Sequence, residues 1–213
     1  MNRWLEMFCL FGLVPLLVAF FSAYSVKWLI PILLVIGFLC LWLLLNDPRF
    51  KRFRLWHLQG LGHCLRHQLL LFAPLALVIS VLVYLWLPQF FLWLPSKDHQ
   101  LWLLTLAIYP LVSVLPQELV FRTFFFHRYK HILPSKLGRL GLSTFSFALA
   151  HAAYGNWVAV VLSGVGGLLF GYRYIQTRST LIVAIEHSLW GMFLFTIGLG
   201  VYLMQIEGIG LIN

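Results

Sequence analysis

Residues 101–127 read LWLLTLAIYPLVSVLPQELVFRTFFFH. Glu118 and Arg122 alone in this run carry a fixed charge. The run exceeds the ~20 apolar residues that carry an α-helix across a bilayer core, so it reads as a transmembrane helix. An ionisable group inside such a span costs free energy unless it is paired or hydrated. Glu118 and Arg122 stand four apart, on one helical face, where a charge-assisted hydrogen bond can form. A buried ion pair is often no better for stability than apolar packing, so PQELVFR (116–122) asks for a reason beyond a structural staple. Pro110 and Pro116 are expected to kink or rotate the helix that carries it.

The same pattern extends in both directions. The chain is 62% apolar and 10% charged, against roughly 25% charged in soluble domains. The expected fold is all-α: a polytopic membrane helical bundle of about seven transmembrane helices, as a single membrane domain over 1–213. The spans are expected near 4–24, 28–46, 68–88, 101–127, 138–153, 157–176 and 180–204. An eighth, interfacial helix has room in the basic loop NDPRFKRFRLWHLQGLGHCLRH (46–67). The start, MNRW followed by apolar residues to Phe21 and then SAYS, resembles a signal peptide and works equally as a retained first helix, which we favour.

The net charge of +9 sits in the gaps between apolar runs, where lipid headgroups and topology account for it and nucleic acid does not. An N-in/C-out arrangement places twelve of the fifteen Lys and Arg residues on the cytoplasmic side, as the positive-inside rule requires. Lack of a soluble extension suits a multi-pass protein of the bacterial cytoplasmic (inner) membrane. Cys9 and Cys40 in apolar runs and Cys64 in the basic loop form no disulfide or metal pattern.

Few ionisable groups lie inside spans, and the ones that matter are Glu118, Arg122, His151, Glu186 and His187. At ~1.5 Å per residue, Glu118 lies ~15 Å from Arg128, His151 ~18 Å from Arg139 and His187 ~14 Å from Arg178. Three helices thus bring a carboxylate and two imidazoles to a similar depth, near mid-membrane on the cytoplasmic side, and a shared wet cavity is expected. A carboxylate and an imidazole around one water make a general-base pair. A second imidazole stabilises a developing oxyanion. That composition suits amide hydrolysis. Ser113, Ser146 and Ser163 have no base at useful spacing, and no G-x-S-x-G elbow occurs. The glycines of SGVGGLLFG (163–171) read as close helix packing.

PQELVFR resembles the E-E-x-x-x-R signature of the CPBP intramembrane proteases, FALAH (147–151) its F-x-x-x-H and HSLWG (187–191) its H-x-x-x-N. The family includes CAAX prenyl-protein endopeptidases and relatives linked to bacteriocin processing and immunity. The likeness covers roughly residues 100–205, a CPBP-like catalytic core. It implies a metal-free endopeptidase acting on a membrane protein or peptide. By position, His151 matches the water-activating histidine, His187 the oxyanion histidine, and Glu118 with Arg122 the second glutamate and the arginine. Gln117 stands where the first glutamate is expected and Gly191 where the asparagine is expected.

Those departures leave choices open. Glutamine accepts no proton, so Glu118 turned into the cavity, or Glu186, would supply the base with His151. Asn156, backbone N–H groups near Gly191, or Gln117 would replace the asparagine. If neither substitution is compensated, the chain is a catalytically impaired relative that binds membrane peptides as an adaptor or immunity factor. Zinc held by Glu118, His151 and His187 is the minority alternative, because two imidazoles and a carboxylate leave one coordination position open. A transporter would call for repeated broken half-helices, and no inverted repeat occurs.

Overall fold

The computed structural model describes residues 2–22 and 26–204, and among these residues there is no β-strand. In chain order the helices are α1 (Arg3–Phe20), α2 (Leu29–Leu45), α3 (Leu61–Trp86), the short α4 (Trp93–Lys97), α5 (His99–Arg128), α6 (Lys136–His151), α7 (Trp157–Thr177) and α8 (Thr180–Ile197). The chain is an all-helical integral membrane protein, with α1, α3, α5, α7 and α8 long and apolar enough to cross a bilayer. Helix α2 has 17 residues and α6 has 16, roughly 25 Å of rise against a core of about 30 Å. Large apolar side chains such as Phe38, Leu77, Leu85, Leu111, Phe145 and Val165 face outward, as a lipid solvent permits.

Three boundaries differ from the sequence reading. The third helix begins at Leu61, ahead of the expected 68, so His63, Cys64, Arg66 and His67 ride on its first turns. Backbone hydrogen bonding continues into the headgroup region whatever the side chains, and hydropathy does not register it. The loop before it holds one 3-10 turn, Arg52–Leu55, where the sequence left room for an interfacial helix. The last helix stops at Ile197 because Gly198 adopts φ +105° and a side chain there would run into the Phe90 carbonyl. The end of the first expected span and the SAYS boundary fall on 23–25, outside the described residues.

Helix α5 occupies the centre. Phe11 of α1 packs edge-on against Phe121 and Phe125 at ring-centroid distances of 5.8 and 4.8 Å, and Phe147 of α6 meets Phe121 at 5.3 Å. The Glu6 carboxylate closes this seam, accepting from Arg128 at 2.7 and 2.8 Å and from the Tyr129 hydroxyl at 3.2 Å. After α2, Asp47 pairs with His127 at 2.9 Å. That hydrogen bond is the main reason the Asp47 carboxyl is held below the usual carboxylate range. Helices α6 and α7 form a close pair. A Cβ on Gly167 would press on Thr144 at 3.1 Å and one on Gly171 would meet the end of the Leu140 side chain at 2.5 Å, so a larger residue at either position requires its neighbour on α6 to shift.

Candidate active site

Helix α5 is not uniform. π-helical segments at Pro110–Val114 and Leu119–Phe124 flank one α-helical turn, Leu115–Glu118. Proline has no N–H to donate, so the ladder widens by a residue near it, and such bulges re-aim the side chains beside them. Gln117 and Glu118, ~100° apart around the helix, face two different environments.

Glu118 is fully buried, as is Arg122. Its Oε1 accepts from His187 Nδ1–H at 2.7 Å, and its Oε2 lies 3.3 Å from Arg122 Nε. The Arg122 contact is an ion pair without hydrogen-bond alignment. The guanidinium instead sits over the Phe147 ring, 4.3 Å from its centroid, and reaches the Gly167 carbonyl at 3.5 Å. His187 stacks on Phe170 at 4.3 Å, and its Nε2 meets the Tyr109 hydroxyl at 3.1 Å. Glu118, Arg122 and His187 are therefore brought together as one buried group.

His151 forms the other half with Gln117. At the end of α6 its Nδ1–H donates to the Phe147 carbonyl at 2.8 Å. A carbonyl only accepts, so this bond places the hydrogen on Nδ1 and leaves Nε2 with a lone pair. Gln117 Nε2 donates to Ser113 Oγ at 2.8 Å, and its Oε1 is buried without a protein partner. Both residues line a cavity of about 380 Å³, together with Tyr109, Ser113, Tyr154 and the apolar Leu104, Ile108 and Phe195. A narrow apolar cleft of about 100 Å³ between α1 and α2 shares Gln117, His151 and Tyr154. Glu118 and His187 line neither. Phe147 stands between the halves, its ring 4.5 Å from His151 and 5.8 Å from His187.

Several alternatives from the sequence are occupied elsewhere. Glu186 is fully buried against Arg173 at 2.8 and 3.3 Å, tying α8 to α7. Asn156 caps α7 by accepting from the Ala159 N–H at 2.8 Å, and its amide donates to the Tyr202 carbonyl at 2.9 Å. Gly191 lies inside unbroken α8, so no backbone N–H is freed there. Ser163 donates to the Ala159 carbonyl. Among the described residues no three His, Cys, Asp or Glu side chains stand close enough to hold a metal ion. The cavity walls run from Gln117 and His151 to Leu104, Leu29 and Met204, away from the ends marked by Arg128, Arg139 and Arg178.

Tyr109 is the residue that sequence reasoning missed. A signal existed: Tyr109, Ser113 and Gln117 recur every four residues along α5 and all line the cavity. The aromatic richness of the chain hid it.

Comparison of the chain with curated proteins and with solved structures finds no match. Residues 98–193 match the family model for Rce1-like proteins, described as type II CAAX prenyl endopeptidase Rce1-like. That segment holds α5, α6, α7 and most of α8, with Tyr109, Gln117, Glu118, Arg122, His151 and His187. Over residues 98–193 the chain is therefore similar to the Rce1-like proteins, a branch of the CPBP/CAAX proteases.

Proposed function

We propose that the chain is an intramembrane endopeptidase that hydrolyses a peptide bond of a membrane-associated protein or peptide. The observation that carries the reading is the cavity shared by Gln117 and His151. A water there accepts orientation from the free Gln117 Oε1 and gives its proton to His151 Nε2 as its oxygen attacks the carbonyl carbon. The proton then passes from His151 to the leaving amine as the C–N bond breaks. Glu118, expected as a base, takes a different role: held by His187 and Arg122, it fixes the His187 ring on the oxyanion side. No step requires a metal.

The test is turnover by the purified protein in liposomes, with a prenylated CAAX-type peptide and its unprenylated copy. Cleavage of either supports the reading, and cleavage of neither refutes it. Gln117→Glu places a proton acceptor beside His151 and is expected to raise kcat ~10²-fold, the lower end of the usual general-base range. An unchanged or lower rate would show that position 117 acts through orientation alone.

The reading takes α2 and α6 as spans beside the five longer helices, with the N-terminus and basic loops in the cytoplasm of a bacterial inner membrane. The mouth of the cavity, near Leu104 and Met204, then faces the opposite side. Leu104→Cys, in a background with Cys9, Cys40 and Cys64 changed to serine, is expected to react with an impermeant maleimide added outside spheroplasts. Reaction only after the cytoplasmic face is opened would reverse the orientation.

A further inference from the structure

The oxyanion side of the site has a gap. His187, matched by family position to the oxyanion, is 6% exposed and lines neither cavity beside His151. Its Nδ1 is held by Glu118, one face is covered by Phe170, and Nε2 is covered by the Tyr109 hydroxyl. The asparagine expected four residues later is Gly191. Tyr109 hydrogen-bonds His187 and also lines the cavity that holds Gln117 and His151.

Gly191 explains how Tyr109 reaches that position. A Cβ at Gly191 would fall inside the Tyr109 phenol, 2.5 Å from Cζ and closer still to the hydroxyl oxygen. Any side chain at 191, asparagine included, excludes the phenol from its present place. The absence of the motif's amide and the presence of the phenol are thus one steric fact. The ring is also seated edge-on against Phe195 at 5.0 Å, so the hydroxyl is presented in a fixed direction.

We infer that Tyr109 is a catalytic residue, the oxyanion donor that replaces the third-motif asparagine; this rests on the endopeptidase reading above. The active form carries hydrogen on both nitrogens of His187, whose charge faces the Glu118 carboxylate. Nε2–H donates to the phenol oxygen, and the phenol hydrogen points into the cavity. As water attacks, the carbonyl π pair moves onto oxygen, and that oxyanion accepts the Tyr109 O–H while the water proton goes to His151. On collapse the pair returns to the carbonyl, the C–N bond breaks and His151 protonates the amine. Tyr109 ends as it began. Hydrogen bonds to an ionised acceptor are about twice as strong as neutral ones, which makes the donor selective for the transition state.

Tyr109→Phe removes the hydroxyl and keeps the ring in its Gly191 notch. With the prenylated CAAX-type peptide, kcat is expected to fall ~10²–10³-fold, the usual effect of one oxyanion donor, with KM within about twofold of wild type. A copy of the peptide carrying a phosphinate at the scissile bond presents the tetrahedral anion directly. Wild type is expected to bind it ~10²-fold or more tightly than the parent peptide, and Tyr109→Phe to lose that preference. A variant with undiminished kcat and undiminished preference would leave Tyr109 as packing and overturn the inference. If wild type cleaves neither peptide, the endopeptidase reading fails by itself. The inference about Tyr109 is then decided by binding: no phosphinate preference in wild type overturns it, and a preference lost in Tyr109→Phe supports it.

Discussion

His151→Ala is expected to reduce cleavage by ~10²–10⁴-fold, the range that a positioned general base supplies, while leaving the fold intact. The imidazole makes one protein hydrogen bond, to a carbonyl one turn back in its own helix. Truncation removes the Nε2 lone pair from the cavity and leaves no buried charge behind. Turnover and thermal unfolding measured on the same preparation separate the two effects. A rate within tenfold of wild type would mean that another group takes the proton. With Glu118 and Glu186 both held in ion pairs away from the cavity, none of the remaining carboxylates in the spans is placed to do so.

Glu118→Ala is expected to act first on stability. Arg122 is 0% exposed, and removal of its counter-charge leaves a guanidinium in the protein interior, at a cost of about 3–5 kcal/mol. The Phe147 ring beneath it offsets only part of this, since cation–π contacts contribute about 1–2 kcal/mol when desolvated. The double variant Glu118→Ala/Arg122→Leu removes both charges and is expected to recover most of the loss, because a buried pair is stabilising mainly relative to its broken halves. Denaturant titration of wild type, Glu118→Ala, Arg122→Leu and the double variant in detergent gives the coupling. A loss in the double variant equal to the sum of the two single losses would show that the pair is not coupled. The two substitutions thus separate the halves of the site: one removes chemistry at constant stability, the other removes the support of His187.

Much of the fold was legible before any coordinate. Apolar length gave the helices, and the structure adds the caps Ser135, Asn156 and Ser179 where α6, α7 and α8 begin. The small-residue run 163–171 was read correctly as packing, because only glycine lets two backbones approach as α6 and α7 do. Helix ends were less legible. The onset of α3 at Leu61 and the break at Gly198 depend on headgroup hydration and on the Phe90 carbonyl, neither of which is a property of the local sequence.

What the sequence determined by itself is chemistry: an apolar helical bundle, and a short set of polar side chains that a hydrocarbon medium tolerates only for a reason. What only the tertiary structure decided is which of those side chains share a space. Gln117 and Glu118 are neighbours in the chain, yet the π-widened turns of α5 send one to the cavity and the other to His187 and Arg122. Tyr109 and Gly191 are far apart in the chain, yet helix packing makes the emptiness of one the condition for the position of the other. Composition and period are set residue by residue along one helix, whereas the direction of a side chain within a bundle is set by the neighbouring helices that fill the space around it.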